Sequence, residues 1–365
     1  MGGVMATISL AMIVKNEQDV LARCLESAKK LFDEIIIVDT GSTDATKQIA
    51  QRFTEKVRDF EWVNDFSRAR NYAFSLATCD YVMWLDADDV LSSGLQENIH
   101  KLKNLLNSQK PDVVMMKYDI AFDEFNKPTF SYYRERIVKN NAGFVWEDAV
   151  HEVISPKGKV VYFDYSIEHR PALNKKQTDR NLKIYESLID SGKVLSARSQ
   201  YYYSRELMFN GKYAKAIENF NKFLDRVDAW KENLISACQD LGFIYMTLGE
   251  NQKAKLSLLN SFAFDTPRAE VCCKLGDIFM FEKRYKEAVY WFNLALKDKI
   301  NLQSGAFVQE QYYNIYPLLQ LCVCYYNLGD FKKAQRCNDK VGKINKNNSA
   351  YKSNKIFFEK LINNK

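Results

Sequence analysis

The sequence predicts an α/β domain with a largely parallel sheet, followed by an all-α domain of stacked helical hairpins. Two observations predict it. Short β-branched or aromatic runs alternate with amphipathic helical patterns up to about residue 170, and a weak helical repeat fills the chain beyond residue 178. Length agrees, because 365 residues exceed what one ordinary core organises.

The first apolar run, Ile8–Val14, ends in Lys15-Asn16-Glu17 with no small-residue cleavage site, so it reads as a buried strand and not a signal peptide. Residues 35–38, 81–85 and 113–117 are further strands. Helical patterns lie between them at 20–31, 43–53, 67–77 and 95–106; in the first, Val20, Leu21, Cys24, Leu25, Ala28 and Leu31 make one apolar stripe. Beyond residue 128 the pattern changes to strands and loops, with 130–138 and 160–168 as candidate strands. The α/β domain is expected to end near Pro171, giving domains at 1–171 and 201–365 joined by a helical linker at 172–200, with its helix over 178–191.

In the second half, Asn210-Gly-Lys-Tyr-Ala-Lys-Ala216, Leu248-Gly-Glu-Asn-Gln-Lys-Ala254, Glu282-Lys-Arg-Tyr-Lys-Glu-Ala288 and Leu328-Gly-Asp-Phe-Lys-Lys-Ala334 share a turn followed by a small residue. A unit of about 34 residues with insertions resembles the tetratricopeptide repeat. Gly211, Gly249 and Gly329 allow tight turns, and the four alanines allow neighbouring helices to approach closely. Single hairpins cannot bury their apolar faces, so the units must stack. Residues 299–311 read as an inserted loop, and the Asn/Lys-rich end after Gly342 as a capping helix with a frayed tail.

Apolar content of 47% and charged content of 27% fit a folded chain, and no apolar run nears the roughly 20 residues that span a bilayer. Eight cysteines without a CxxC read as buried free thiols in a reducing compartment, so a cytoplasmic location is expected. Residues 1–171 carry 21 Lys and Arg against 26 Asp and Glu, net −5; residues 172–365 carry 31 against 20, net +11. The acidic half suits a site holding a metal and a nucleotide. The basic half attracts an acidic partner or solvates long helices.

In an open α/β sheet, ligands bind outside the carboxyl ends of the strands. Three polar clusters fall there: Lys15-Asn16-Glu17, Asp39-Thr-Gly-Ser-Thr-Asp44 and Asp86-Ala-Asp-Asp89. Asp86 and Asp88, two apart at a strand end, offer hard oxygen ligands for Mg²⁺ or Mn²⁺ carrying a diphosphate. The plainer reading is a solvated acidic turn capping the next helix, and Asp44 likewise reads as a cap for its own helix.

Val38-Asp-Thr-Gly-Ser-Thr-Asp44, Asn64-Asp-Phe-Ser-Arg-Ala-Arg-Asn71 and Trp84-Leu-Asp-Ala-Asp-Asp89 resemble the family 2 glycosyltransferases of GT-A fold, in particular bacterial members fused to tetratricopeptide repeats. The resemblance covers nearly the whole chain and rests on the order and spacing of the motifs. It implies that Asp39 contacts the nucleotide base, usually uracil, that Arg70 and Asp86 lie beside the nucleotide, and that Asn16-Glu17 belongs to the donor site. It also implies that Asp88 ligates the metal and that His169, in Ile-Glu-His169, completes the coordination. Where the commonest pattern has Asp-Asp, this chain has Asp39-Thr40, which leaves one base or ribose contact open. Ala149-Val-His151-Glu152 resembles the His-Glu motif on the acceptor side.

The resemblance implies a metal-dependent hexosyltransferase that inverts the sugar carbon in one displacement, with a nucleotide-sugar donor, a UDP-sugar by the family's habit, and a protein or peptide acceptor. Glu152 is the candidate base; Asp148, in Trp-Glu-Asp148, is the alternative, because many members use Glu-Asp. A cysteine acceptor, with its lower pKa, lessens the need for a base. The repeats are expected to select a Ser, Thr or Cys side chain, as in peptide glycosyltransferases of this layout, and to permit a homodimer; no nucleic-acid partner is expected. Three alternatives remain. A nucleotidyltransferase is disfavoured because residues 11–16 lack the glycine of a phosphate loop. The others are a repeat scaffold with an inactive GT-A domain and a transferase acting on envelope glycan or lipid.

Overall fold

Strand β1 (Ile8–Val14) is almost wholly buried in the computed structural model, as an apolar run covered on both faces must be. The structure describes residues 5–124, 126–172 and 178–363. After β1 come α1 (Leu21–Ala28), β2 (Glu34–Asp39), α2 (Thr46–Ala50), β3 (Val57–Asp59), α3 (Phe66–Ser75), β4 (Tyr81–Trp84) and β5 (Asp89–Leu91). Then follow α4 (Ser93–Glu97), α5 (Ile99–Gln109), β6 (Val113–Phe122), β7 (Pro128–Lys139), β8 (Trp146–Glu147), β9 (Val153–Ile154) and β10 (Val160–His169).

Among the described residues these strands make one eight-stranded sheet in the order β3-β2-β1-β4-β7-β6-β10-β5, and a separate ribbon of β8 with β9. Neighbours β3, β2, β1 and β4 run parallel, as do β6 and β10; β7 runs antiparallel to β4 and β6, and β5 to β10. The expected α/β architecture with a mostly parallel sheet is therefore observed. Reversal at β1, with β2 on one side and β4 on the other, brings the ends of β1, β2 and β4 to one edge.

Several elements differ from the sequence expectation. The helix read at 95–106 is two helices, because Asn98 leaves helical geometry at φ −118° and caps α5. The helix read at 43–53 shrinks to α2, since Asp44 spends its carboxylate on the turn, accepting from the backbone N–H and hydroxyl of Thr46 at 2.9 and 2.5 Å. Strands β3 and β5 are three residues long and carry too short a pattern to register.

The chain divides into two compact units, Met1–Tyr202 and Tyr203–Lys365. Helices α6 (Arg180–Asp190) and α7 (Ala197–Phe209) are followed by α8 (Tyr213–Leu224), α9 (Lys231–Thr247), α10 (Asn251–Asn260), α11 (Ala269–Phe281), α12 (Tyr285–Ala295), α13 (Ile315–Asn327), α14 (Phe331–Ile344) and α15 (Ser349–Asn363). The linker read at 172–200 contains α6; its residues 173–177 lie outside the described residues.

Four hairpin turns repeat one backbone motif. Gly211, Gly249, Lys283 and Gly329 adopt φ of 71°, 75°, 58° and 80°. Each following N–H returns to a carbonyl five residues back, as from Lys212 to Leu207 and Arg284 to Phe279. A second period lies in the packing. A Cβ on Gly242 would stand 2.8 Å from Leu258, and one on Gly276 2.6 Å from Phe292, so successive hairpins close through a glycine against a large side chain. All eight cysteines are free and seven are buried.

Candidate active site

Helix α3 supplies the centre. Asp65 caps it by accepting from Arg68 N–H at 3.2 Å, which orients Ala69-Arg70-Asn71 toward the sheet edge. Asn71 exchanges two hydrogen bonds with the backbone of Trp146, at 2.8 and 2.9 Å, and Phe66 N–H donates to Ala149 carbonyl at 2.9 Å. Helix α3 thereby fixes the loop that carries Asp148, His151 and Glu152.

Arg70 is 7% exposed and lies 5.1 and 4.7 Å from the ring centres of Trp84 and Trp146. Its Nε donates to Glu152 and its Nη2 to Asp86, each at 2.6 Å. One guanidinium thus joins two residues expected on opposite sides of the reaction. Burial by itself disfavours the charge of both groups. The paired carboxylates nevertheless raise Arg70, while Arg70 and then Arg136 hold the Asp86 carboxyl down at about 2.

The second group lies where β4 hands over to β5. Ligand atoms of Asp88, Asp89 and His169 all fall within 4.8 Å of one another. Strand pairing sets this up: His169 stands opposite Asp89 in the β10–β5 ladder, and Arg170 N–H donates to Asp88 carbonyl at 2.8 Å. His169 Nδ1 is 2.9 Å from Tyr118 hydroxyl, 3.5 Å from Asp88 Oδ1 and 3.9 Å from Asp89 Oδ1. Burial lowers the imidazole pKa, but Asp89, Asp88 and Asp86 outweigh it and the net shift is upward. Asp89 Oδ1 is buried without a hydrogen bond. Two carboxylate oxygens, one of them orphaned, and an imidazole nitrogen fit a divalent cation such as Mn²⁺ or Mg²⁺.

Asp89 and Arg136 were not singled out from the sequence as site residues. Both are fully buried. Asp89 Oδ2 accepts from Arg136 Nη1 at 2.8 Å and from Asp86 N–H at 3.0 Å, so the pair sets the course of the acidic turn. The Arg136 guanidinium is sandwiched 3.8 Å from the Trp84 ring centre and 4.2 Å from that of Tyr118. The available signal was Arg134-Glu135-Arg136 inside the apolar strand β7, since charges there demand partners.

The third group sits at the ends of β1 and β2. Asp39 is 3% exposed; its Oδ1 accepts from Gly41 and Ser42 N–H at 2.9 and 2.8 Å, and its Oδ2 is buried with no hydrogen bond. Asn16, at φ 54°, accepts from Thr43 N–H at 2.8 Å, and Glu17 N–H donates to Thr46 hydroxyl at 2.7 Å. These bonds tie the two strand-end loops together.

Asp148 and His151 are placed differently from Glu152. Both take left-handed φ, 69° and 54°. Asp148 Oδ1 accepts from Ser196 and Ser199 hydroxyls at 2.9 and 2.7 Å. His151 stacks on Tyr202 with ring centres 4.2 Å apart.

Fold and site together define a glycosyltransferase-type catalytic domain followed by helical repeats, and comparison with known proteins agrees. Residues 9–166 match the model of glycosyl transferase family 2, and residues 269–297 match a tetratricopeptide repeat. An uncharacterised glycosyltransferase of Rickettsia felis is 30% identical over 209 residues, 53% of this chain and 74% of that protein. The prophage-derived glycosyltransferase SunS of Bacillus subtilis is 28% identical over 238 residues, 60% of this chain and 55% of SunS. A TPR repeat-containing protein of Synechococcus elongatus is 35% identical over 155 residues, 42% of this chain and 37% of its own length. The chain belongs to glycosyl transferase family 2. It spans about half or less of the length of the last two relatives. Among the described residues no helix is long and apolar enough to cross a membrane.

Proposed function

We propose that this protein transfers a sugar from a nucleotide-sugar donor, a UDP-sugar in the first instance, to a Ser, Thr or Cys side chain of a protein or peptide acceptor. In this reading residues 1–171 bind donor and perform transfer, 172–200 connect, and 201–365 select the acceptor. The observation that carries it is the convergence at one sheet edge of Arg70 with Asp86 and Glu152, and of Asp88 and Asp89 with His169, in a family 2 chain.

Asp39, with one buried carboxylate oxygen unpaired, is suited to accept an N–H from the nucleotide base. Asn16 and Glu17 shape that pocket from the neighbouring strand end. Asp88 and His169, with Asp89 behind them, would hold the cation, whose chemistry is to offset charge on the departing diphosphate. The acceptor hydroxyl or thiol attacks the sugar carbon as the bond to the diphosphate breaks. Its proton goes to Glu152, with Asp148 as the alternative base. Arg70 orients Glu152 and Asp86 relative to each other. His151 is assigned to the acceptor side.

The test is a thermal-shift panel of nucleotide sugars with and without Mn²⁺, followed by transfer assays on peptides carrying Ser, Thr or Cys. The expected result is stabilisation by UDP-sugars that depends on Mn²⁺. Equal melting temperatures under every condition would refute the reading.

A further inference from the structure

Polar pairs join the first helices of successive hairpins. Arg205 Nε on α7 lies 3.4 Å from Asp240 on α9; Lys274 Nζ on α11 donates to Gln239 on α9 at 3.0 Å; Tyr316 hydroxyl on α13 donates to Asp277 on α11 at 2.8 Å. Stacked hairpins present such a layer as an extended concave binding surface. The segment read from sequence as a loop insertion, 299–311, lies against this layer together with Tyr312 and Tyr313.

It is fastened at each end and along its length. At its start, Ala269 N–H at the head of α11 donates to Asp298 at 3.0 Å. In the middle, Gln309 N–H and Tyr313 hydroxyl donate to the two carboxylate oxygens of Glu270, each at 3.0 Å, and Cys273 thiol approaches Tyr312 carbonyl at 3.7 Å. Gly305 packs on Trp230 at the head of α9, where an added Cβ would stand 3.0 Å from the indole, and Phe307 faces the Arg205 guanidinium at 5.8 Å. Val308 is 3% exposed and Glu270 5%. An acidic side chain this deeply buried requires donors, and this segment provides them.

We propose that residues 299–313 are a resident occupant of the repeat groove, held as two 3-10 turns, Leu302–Ser304 and Glu310–Tyr313, around a short irregular stretch, and that a polypeptide ligand reaches this face by displacing them. The groove recognises backbone N–H and a tyrosyl hydroxyl through Glu270 and an aromatic side chain beside Arg205. A competing ligand therefore presents an aromatic residue and, six positions later, a tyrosine. The segment acts as an intramolecular competitor whose high effective concentration keeps weak ligands out.

The experiment uses the full chain and a variant with residues 300–313 replaced by a Gly-Ser linker of equal length. The probe is a fluorescein-labelled peptide with the sequence of residues 303–313, followed by anisotropy. The expected result is binding to the replaced chain at least about tenfold tighter than to the intact chain. Equal affinity for the two, or no binding to a replaced chain that melts cooperatively, overturns the proposal. Glu270→Gln in the intact chain provides a second test that needs no deletion. Hydrogen exchange at the Gln309 amide is expected to accelerate about tenfold as its acceptor is weakened. Unchanged exchange in that variant also overturns it.

Discussion

Arg70 donates from Nε to Glu152 across 82 positions of sequence, at 2.6 Å, while the same guanidinium holds Asp86. An ion pair this short, on a guanidinium 7% exposed, makes the distance between the Asp86 and Glu152 carboxylates depend on one side chain. Lysine has a single cationic head and cannot present two divergent N–H donors. Arg70→Lys is therefore expected to lower kcat about 100-fold while thermal unfolding stays cooperative. Steady-state kinetics beside a melting curve will check it.

Glu152 and Asp148 separate by their partners. Asp148 is held by two serine hydroxyls, a structural arrangement, whereas Glu152 faces the guanidinium that also grips Asp86. Glu152→Gln is expected to slow transfer to hydroxyl acceptors by about 10² to 10⁴ with donor affinity little changed. Asp148→Asn is expected to lower the melting temperature more than the rate. The reverse pattern would assign the base to Asp148.

Asp88→Asn removes one anionic oxygen from the group it forms with Asp89 and His169. The expected outcome is loss of transfer in a protein that remains folded, and loss of wild-type activity in EDTA with recovery on adding Mn²⁺. Full activity after chelation would exclude the metal reading.

Lys283 occupies, at φ 58°, the turn position that glycine holds at 211, 249 and 329. A lysine Cβ in the left-handed region costs about 1 kcal/mol relative to glycine. Lys283→Gly is expected to stabilise the repeat unit by that amount, read from denaturant unfolding.

Asp277 has its carboxyl raised to about 6, chiefly by burial and against the opposing hydrogen bond from Tyr316 and charge of Lys274. The folded state therefore binds its proton more tightly than the unfolded chain does. Stability from this group is present below about pH 4 and is lost as pH climbs through 6, by on the order of 2 kcal/mol. Asp277→Asn should flatten that part of the pH–stability curve, measured by urea unfolding from pH 4 to 7.

The alternation of apolar runs with helical stripes was enough to read the sheet domain, because each strand and helix is buried locally according to its own period. The hairpin turns were legible too, since Gly211, Gly249 and Gly329 mark left-handed positions in the chain itself. Lys283 was not marked in that way, and the 34-residue spacing of Gly242 and Gly276 against Leu258 and Phe292 emerges only when helices pack. Among the candidate site residues, Asp39, Asp86, Asp88 and His169 stood out because polar groups at strand ends are conspicuous after apolar runs.

The pairings were decided by tertiary structure alone. Arg136 lies 47 positions from Asp89 and Arg70 lies 82 from Glu152, so no local pattern records either bond. The same holds for Glu270, whose donors arrive from a segment about 40 residues later. Periodicity reports which face of an element turns inward; it carries no information about which charge will meet it there, because that depends on strand order and helix packing over the whole fold.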